Sequence, residues 1–355
     1  MNAPSASPSP DRPSSDEPQR TARPDAAHDP GPEAARTRAV ATGAPHGEPI
    51  RIGGARILVG TAGWTDRTLT AAGVFYPDAA KTPEDRLRFY ASRFPLVEVD
   101  ATYYALPSRR MAELWAERTP DDFTFDVKAN ALMTGHPSEV SRLPKELRDA
   151  LPEALAAKAR IYATDLPAEL EDAVWATFLD ALEPLRSSGK LGGVLLQYPR
   201  WFGPTRDNAR ALVEASRRLG DVTGTVELRN RDWFSDRLRE RTLGLLAEHD
   251  IPFVMVDAPQ GHRSSVPPMA ATTSARLAVV RLHGRRVDTW ERPGVGVAER
   301  FRYLYDRGEL AEWLPRIGAV AAAAREVHVV FNNCYANYGT TNAAEMMGML
   351  AEEAR

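Results

Sequence analysis

The chain of 355 residues has one cysteine, Cys334, and only seven histidines. A single thiol excludes an internal disulfide and a multi-cysteine zinc site. Its default setting is a reducing cytoplasm, so the expected localisation is cytoplasmic. No apolar run approaches the roughly 18 residues of a membrane span, so no membrane partner is expected. Net charge is −3 and the sequence pI is about 6.2, so there is no whole-protein basic footprint for nucleic acid. Metalloprotease HExxH, hydrolase GxSxG and calcium-loop DxDxDG patterns are all missing. No GxGxxG or GxxxxGK[ST] follows the first β-rich run, which weakens dinucleotide and P-loop readings.

Residues 1–50 have no Phe, Trp, Tyr or Leu and hold 10 of the 28 prolines. So little apolar surface cannot offset the entropy of ordering, and a disordered Pro-rich tail is expected there. The stretch has no hydrophobic core of a secretory leader, and its seven acidic residues argue against a transit peptide. Residues 51–355 carry all the aromatics and are expected to form one domain.

From about Ile57, short runs rich in Val, Ile, Leu and Phe alternate with helical patterns. Eight strands are predicted, at 57–61, 96–100, 123–128, 193–197, 223–229, 253–257, 277–283 and 327–332. Thr82-Pro83-Glu84-Asp85 opens one helix with an N-cap, a proline at the first position and an acid at the third. Ser108 caps another, and the chain ends on a helix-forming stretch at 343–353. Two connections break the rhythm. About sixty residues separate the third and fourth strands and include a helix at 169–185. Residues 258–276, with three Pro and five Ser/Thr, read as a long loop of the kind that serves as a lid or binding loop. Strands alternating with helices predict an α/β fold with a parallel sheet covered on both faces. Eight units in about 300 residues favour a TIM-like (β/α)8 barrel over a doubly wound open sheet.

Polar residues recur in pairs at the strand ends: Glu98 with Asp100, Asp126 with Lys128, Glu227 with Arg229, and Arg281 with His283. Each pair is spaced by two with an apolar residue between, which puts both groups on one strand face. The face under the helices would desolvate them without partners. They are therefore expected inside the barrel at its C-terminal mouth, where barrel enzymes hold their active sites. Gln197, Asp257 and Asn332 end the remaining strands and are expected to join them. Any one of these alone reads as a salt-bridged strand end; a purely structural network of this size would carry a large desolvation cost. His283 is a candidate proton shuttle near neutral pH. His328, four residues before Asn332, reads as structural and deeper. His136 is a candidate to overhang the mouth. Trp64, Tyr103, Tyr104, Tyr198, Trp201 and Trp233 all follow strand ends, as rim caps or stacking surfaces. Nothing marks Cys334 as an activated nucleophile.

Taken together, these motifs resemble the YecE-like family, domain of unknown function 72. The similarity runs from about Leu58 to Met349. It rests on Gly60-Thr61-Ala62-Gly63-Trp64, Phe75-Tyr76-Pro77, the stretch from Phe94 to Tyr104 with Pro107, and Phe123 to Lys128. Further matches are Gly189-Lys190-Leu191-Gly192, Leu195-Leu196-Gln197-Tyr198-Pro199, Val226-Glu227-Leu228-Arg229 with Trp233, Arg281-Leu282-His283-Gly284-Arg285, and Phe331-Asn332-Asn333 with Asn342-Ala343. The resemblance implies a TIM-like barrel, with fold-level analogy to endonuclease-IV-like and sugar-isomerase-like barrels. It supplies no reaction. Asp66, Leu69 and the inserted Gly135 depart from the usual pattern.

The expectation is a hydrolase, lyase or isomerase acting on a small polar or anionic, phosphorylated or sugar-like ligand. Glu227, His283, Glu98 and Asp257 are the catalytic candidates. Lys128, Arg229, Arg281, Asp100, Gln197, Asn332 and Tyr103 are the substrate-binding ones. At most one divalent metal ion is expected, because the signs alternate. The alternatives are a non-catalytic metabolite-binding protein and a nucleic-acid-binding, endonuclease-IV-like barrel. The sequence leaves oligomeric state open.

Overall fold

The computed structural model describes residues 47–355. Most of the expected tail, residues 1–46, lies outside the described residues. Ile50, the last residue of the expected tail, already belongs to a strand. Ile50–Ile52 forms a short strand whose residues pair antiparallel with Ala55, Arg56 and Ile57.

All eight predicted strands are present. They are β1 Ala55–Ala62, β2 Leu96–Val99, β3 Thr124–Lys128, β4 Leu191–Gln197, β5 Gly224–Glu227, β6 Val254–Asp257, β7 Leu277–Leu282 and β8 Glu326–Phe331. They run parallel in the order β5-β4-β3-β2-β1-β8-β7-β6. The last seam is thin. A single bridge, Val226 to Phe253, and the Val226 N–H to Pro252 carbonyl bond of 2.9 Å close β5 onto β6. The result is a nearly closed TIM-like barrel.

The outer layer includes α1 Pro83–Ala91, α2 Arg109–Glu117, α3 Ala168–Ser187, α4 Arg206–Arg218, α5 Arg239–Glu248, α6 Leu314–Ala321 and α7 Tyr338–Glu353. Their starts follow the capping chemistry. Thr82 and Asp85 form a reciprocal capping box on α1, and Ser108 accepts from Met111 N–H on α2. Most of the apolar core lies between strands and helices. A smaller cluster of Leu58, Ala62, Leu96 and Val330 fills the barrel interior. Lys190 also gains a role: its buried ammonium donates to the Ala116 and Thr119 carbonyls (2.6 and 2.8 Å) at the end of α2. No helix among the described residues is long and apolar enough to cross a membrane.

The register decides which side chains face inward. Gly60 pairs with Leu96, Ala62 with Glu98, and Glu98 with Asp126. Arg281 pairs with Val330 on one side and Val256 on the other. Partners in register share a face, so Glu98, Asp126, Arg281, Val330 and Val256 all point into the barrel. Asp257 does not. It pairs with Leu282, which pairs with Phe331, and these face the helices. There its carboxylate accepts from Tyr305 Oη (2.9 Å), Trp313 Nε1 (2.7 Å) and Arg285 Nη2 (2.8 Å). Its expected place in the mouth is therefore corrected: Asp257 anchors the outer layer, and Val256 holds the inward position.

Candidate functional site at the barrel mouth

Arg281 is the centre of the mouth. It comes from the C-terminal end of β7 and is fully buried. Its Nη1 donates to Glu227 Oε2 and its Nη2 to Glu98 Oε1, both at short range. Its Nη2 also lies 3.9 Å from Asp100 Oδ1. Arg229 Nε donates to the other Glu227 oxygen. Lys128 Nζ sits 3.3 Å from Asp100 Oδ1. Glu98, Glu227, Arg281 and His283 form the buried floor of the mouth, and Asp100, Lys128 and Arg229 form its partly open upper rim. Gln197 pairs in register with Glu227 and is half-buried beside it.

The two floor glutamates are in opposite states. Burial raises the Glu98 carboxyl to about 8, against the pull of Arg281 and with a further push from Asp100. Burial also opposes ionisation of Glu227, but Arg229 and Arg281 override it and hold this carboxyl well below the usual range. Asp100, despite its burial, is lowered by Lys128 and Arg281. At neutral pH the mouth therefore carries two carboxylates, Asp100 and Glu227, against three cations, Lys128, Arg229 and Arg281. With Glu98 protonated, the mouth is positive by one.

His283 does not fit the expected proton shuttle. Burial, then Arg229, pushes its imidazole down to about 3, so the ring is neutral at pH 7. Arg229 Nη2 lies 3.0 Å from Nε2, and a guanidinium can only donate. Nδ1 lies 2.9 Å from Nδ2 of the Asn332 amide, and Nε2 also lies 3.3 Å from Glu227 Oε1. His283 and Asn332 thus hold the floor in place. Above them, Trp290 places its ring 5.3 Å from the Arg229 guanidinium and donates from Nε1 to Ser264 Oγ at 2.9 Å. That bond ties the long loop 258–276 to the loop after β7. Sequence reasoning missed Trp290, whose only signal is a tryptophan in a polar stretch without periodicity.

Asp126 lies deeper than its predicted partner Lys128. It accepts from His328 Nδ1 at 2.8 Å, while Nε2 of the same ring donates to Glu326 at 2.9 Å. Burial alone would lower His328, but the two carboxylates raise it to about 10. Its structural reading is supported by this enclosure. A raised value means that the stabilisation is complete below the ordinary histidine pKa and is lost as pH climbs through about 10. The stability gap between wild type and His328→Asn should therefore narrow from pH 7 to pH 10 in urea titrations. A gap that stays constant would show that this ring is neutral in the fold.

The remaining candidates divide. Trp64, Tyr198 and Trp233 are buried and pack as core, on Trp115, Phe202 and Phe202 respectively. Tyr103 stays at the mouth, 4.9 Å beneath Lys128 Nζ. His136 overhangs it, and Tyr104 and Trp201 are exposed. Cys334 packs against the interior cluster, and burial drives its thiol up, which leaves it unactivated. Among the described residues no group of three or more His, Cys, Asp and Glu side chains is placed to hold a metal ion. The space between Glu98 and Glu227 is taken by Arg281.

Fold and mouth together define a TIM-like barrel with a mixed-charge cluster at the C-terminal ends of its strands. The family described as "Protein of unknown function DUF72" matches residues 58–355, and the chain belongs to it. It is 30% identical over 297 residues to the UPF0759 protein YunF of Bacillus subtilis, across 83% of this chain and 94% of that one. Among solved structures it is similar to the DUF72 protein EF0366 of Enterococcus faecalis, at 26% identity and a TM-score of 0.65 over 83% and 95% of the two chains. It is also similar to the DUF72 protein TM1631 of Thermotoga maritima, at 28% identity and a TM-score of 0.64 over 83% and 98%.

Proposed function

We propose that the barrel mouth is an active site for proton-transfer chemistry on a small anionic substrate, of the hydrolase, lyase or isomerase type. One observation carries this reading: Arg281 separates two buried glutamates, one kept protonated and one ionised, beneath a half-open rim of Asp100, Lys128 and Arg229. Environments that push two carboxyls apart let one keep a transferable proton while the other stays charged. Lys128 and Arg229 hold the anionic group. Asp100, 31% exposed at its side chain, meets the substrate, and Glu98 behind it is the proton reserve. Glu227 stays ionised to keep both arginines oriented. His283 positions this floor without titrating. One net positive charge matches a single phosphate or carboxylate, not the extended track of cations that a polyanion needs.

Glu98→Gln tests the assignment. Glu98 is neutral below about pH 8, so the amide should change stability at pH 6 by less than about 1 kcal/mol. Turnover of any sugar phosphate or small phosphorylated acid, followed by proton NMR across a panel, should fall by about 100-fold or more. Wild-type activity should also decline above about pH 8, as the reserve proton is lost. The self-satisfied salt bridges of the floor favour a second reading, a metabolite-binding protein without turnover. Binding with no conversion by either protein would select it and reject catalysis.

A further inference from the structure

The loops after β2, β3 and β4 place a row of aromatic rings along one side of the mouth. Tyr104 meets Tyr103 at 5.0 Å between ring centroids, Tyr103 meets His136 at 5.3 Å, and His136 meets Trp201 at 5.7 Å. Each contact is close to perpendicular, so the rings brace one another edge to face and the row is held as a unit. Tyr103 sits on the 3-10 turn Ala101–Tyr103, and His136 follows Gly135, whose φ of +75° turns the chain back toward the pocket.

Two features of this row are unlike an ordinary rim. Its outer end, the Trp201 indole, is 57% exposed, a large apolar ring left open where the neighbouring Trp233 and Tyr198 are packed away. Its middle, Tyr103 and His136, faces the cations of the mouth, while Tyr104 beyond Tyr103 is again exposed. Lys128 Nζ lies 4.9 Å over the Tyr103 ring, and the charges of Lys128 and Arg229, after burial, hold His136 neutral, near 4. From Trp201 through His136 to Tyr103 the row is thus an uncharged, braced aromatic surface that runs from open solvent to Lys128.

We propose that this row is a second subsite that binds a ring carried by the anionic ligand, with the ring face stacked on the exposed Trp201 indole and the anion at Lys128 and Arg229. The ligand class is therefore a ring-bearing phosphate or carboxylate. The ring is either the C–H face of a sugar or a planar aromatic group, since both stack on an indole. The inference rests on the anionic-substrate reading above and adds the other half of the ligand.

Titrations with inorganic phosphate, glucose 6-phosphate and phenyl phosphate, read by intrinsic fluorescence and by calorimetry, separate the two claims. Wild type should bind at least one of the ring-bearing phosphates about tenfold or more tightly than inorganic phosphate. Whichever of the two gains identifies the source of the ring. Trp201→Ala should remove that gain while the affinity for inorganic phosphate stays within about twofold, and Trp201→Phe should restore most of it. Lys128→Met should weaken all three. Ring-bearing phosphates that bind no better than inorganic phosphate, or a gain that survives in Trp201→Ala, would overturn the subsite and leave the anion site standing. No binding of any probe, with Lys128→Met indistinguishable from wild type, would instead remove the anionic reading on which it rests.

Discussion

Arg281→Met is expected to remove about 3–5 kcal/mol of folding stability, a large share of what a single domain has. The side chain is fully buried and joins Glu227 to Glu98. Methionine keeps most of the aliphatic stem but not the guanidinium, so the loss combines charge with a small cavity, and its pH dependence isolates the charge part. The two glutamates do not lose equally. Glu98 is already protonated at neutral pH and tolerates the change. Glu227 is ionised with no exposed surface and would keep only Arg229 as a cationic partner. Its carboxyl would then shift upward. A raised folded-state value is relieved by protonation, so the deficit should be largest near pH 7 and shrink as pH falls through the carboxylate range. Adding Glu227→Gln to Arg281→Met should recover at least half of the loss. Urea unfolding at pH 5 and pH 7 measures all of this. A deficit below about 1 kcal/mol, or one independent of pH, would show that the mouth is not the buried charge network described here.

The barrel was legible because its strands are short apolar runs between helices with readable caps. Alternation of polar and apolar residues placed Glu98, Asp100, Lys128, Glu227, Arg229, Arg281 and His283 correctly, since spacing by two is a local rule that the pleat enforces. Asp257 shows where that rule stops. It stands alone after Met255, with no polar partner two residues earlier, so nothing local stated its parity. The offset that pairs it with Leu282 is set by how β6 docks on β7. The titration states were equally out of reach. Glu98 and Glu227 have the same chemistry and similar neighbours in sequence, and they differ only through the distances from Arg229, Asp100 and Arg281. His283 looked like a switch because a free imidazole titrates near neutrality; burial beside Arg229 removes that property. The strand Ile50–Ile52 was not foreseen, because it is three residues long and gains its stability from pairing with β1, not from its own pattern.

Gly60→Ala is the second large effect, and it tests how the mouth is held. A Cβ at Gly60 would lie 1.9 Å from the Leu96 carbonyl oxygen and 2.7 Å from its carbon. These are backbone atoms, so no rotamer change makes room. The approach is fixed from both sides. Tyr90 Oη, on α1, accepts from Thr61 N–H at 2.9 Å and donates to Leu96 O at 3.0 Å, which clamps β1 to β2 at this level. Any methyl must therefore separate the two strands, and Glu98 follows Leu96 by two residues on the same face. The expected loss exceeds about 4 kcal/mol, beyond ordinary overpacking. Gly244→Ala in α5 is the matched control: nothing lies within 4 Å of its added Cβ, and a helix-interior glycine replaced by alanine should gain about 0.5–1 kcal/mol. Thermal unfolding of the two variants beside wild type gives the comparison. If Gly60→Ala melts like Gly244→Ala, the close contact of β1 with β2 is not the feature that sets Glu98 against Arg281. If it fails to fold while Gly244→Ala gains stability, the seam of β1 and β2 that carries Glu98 depends on the one residue without a side chain that faces Leu96.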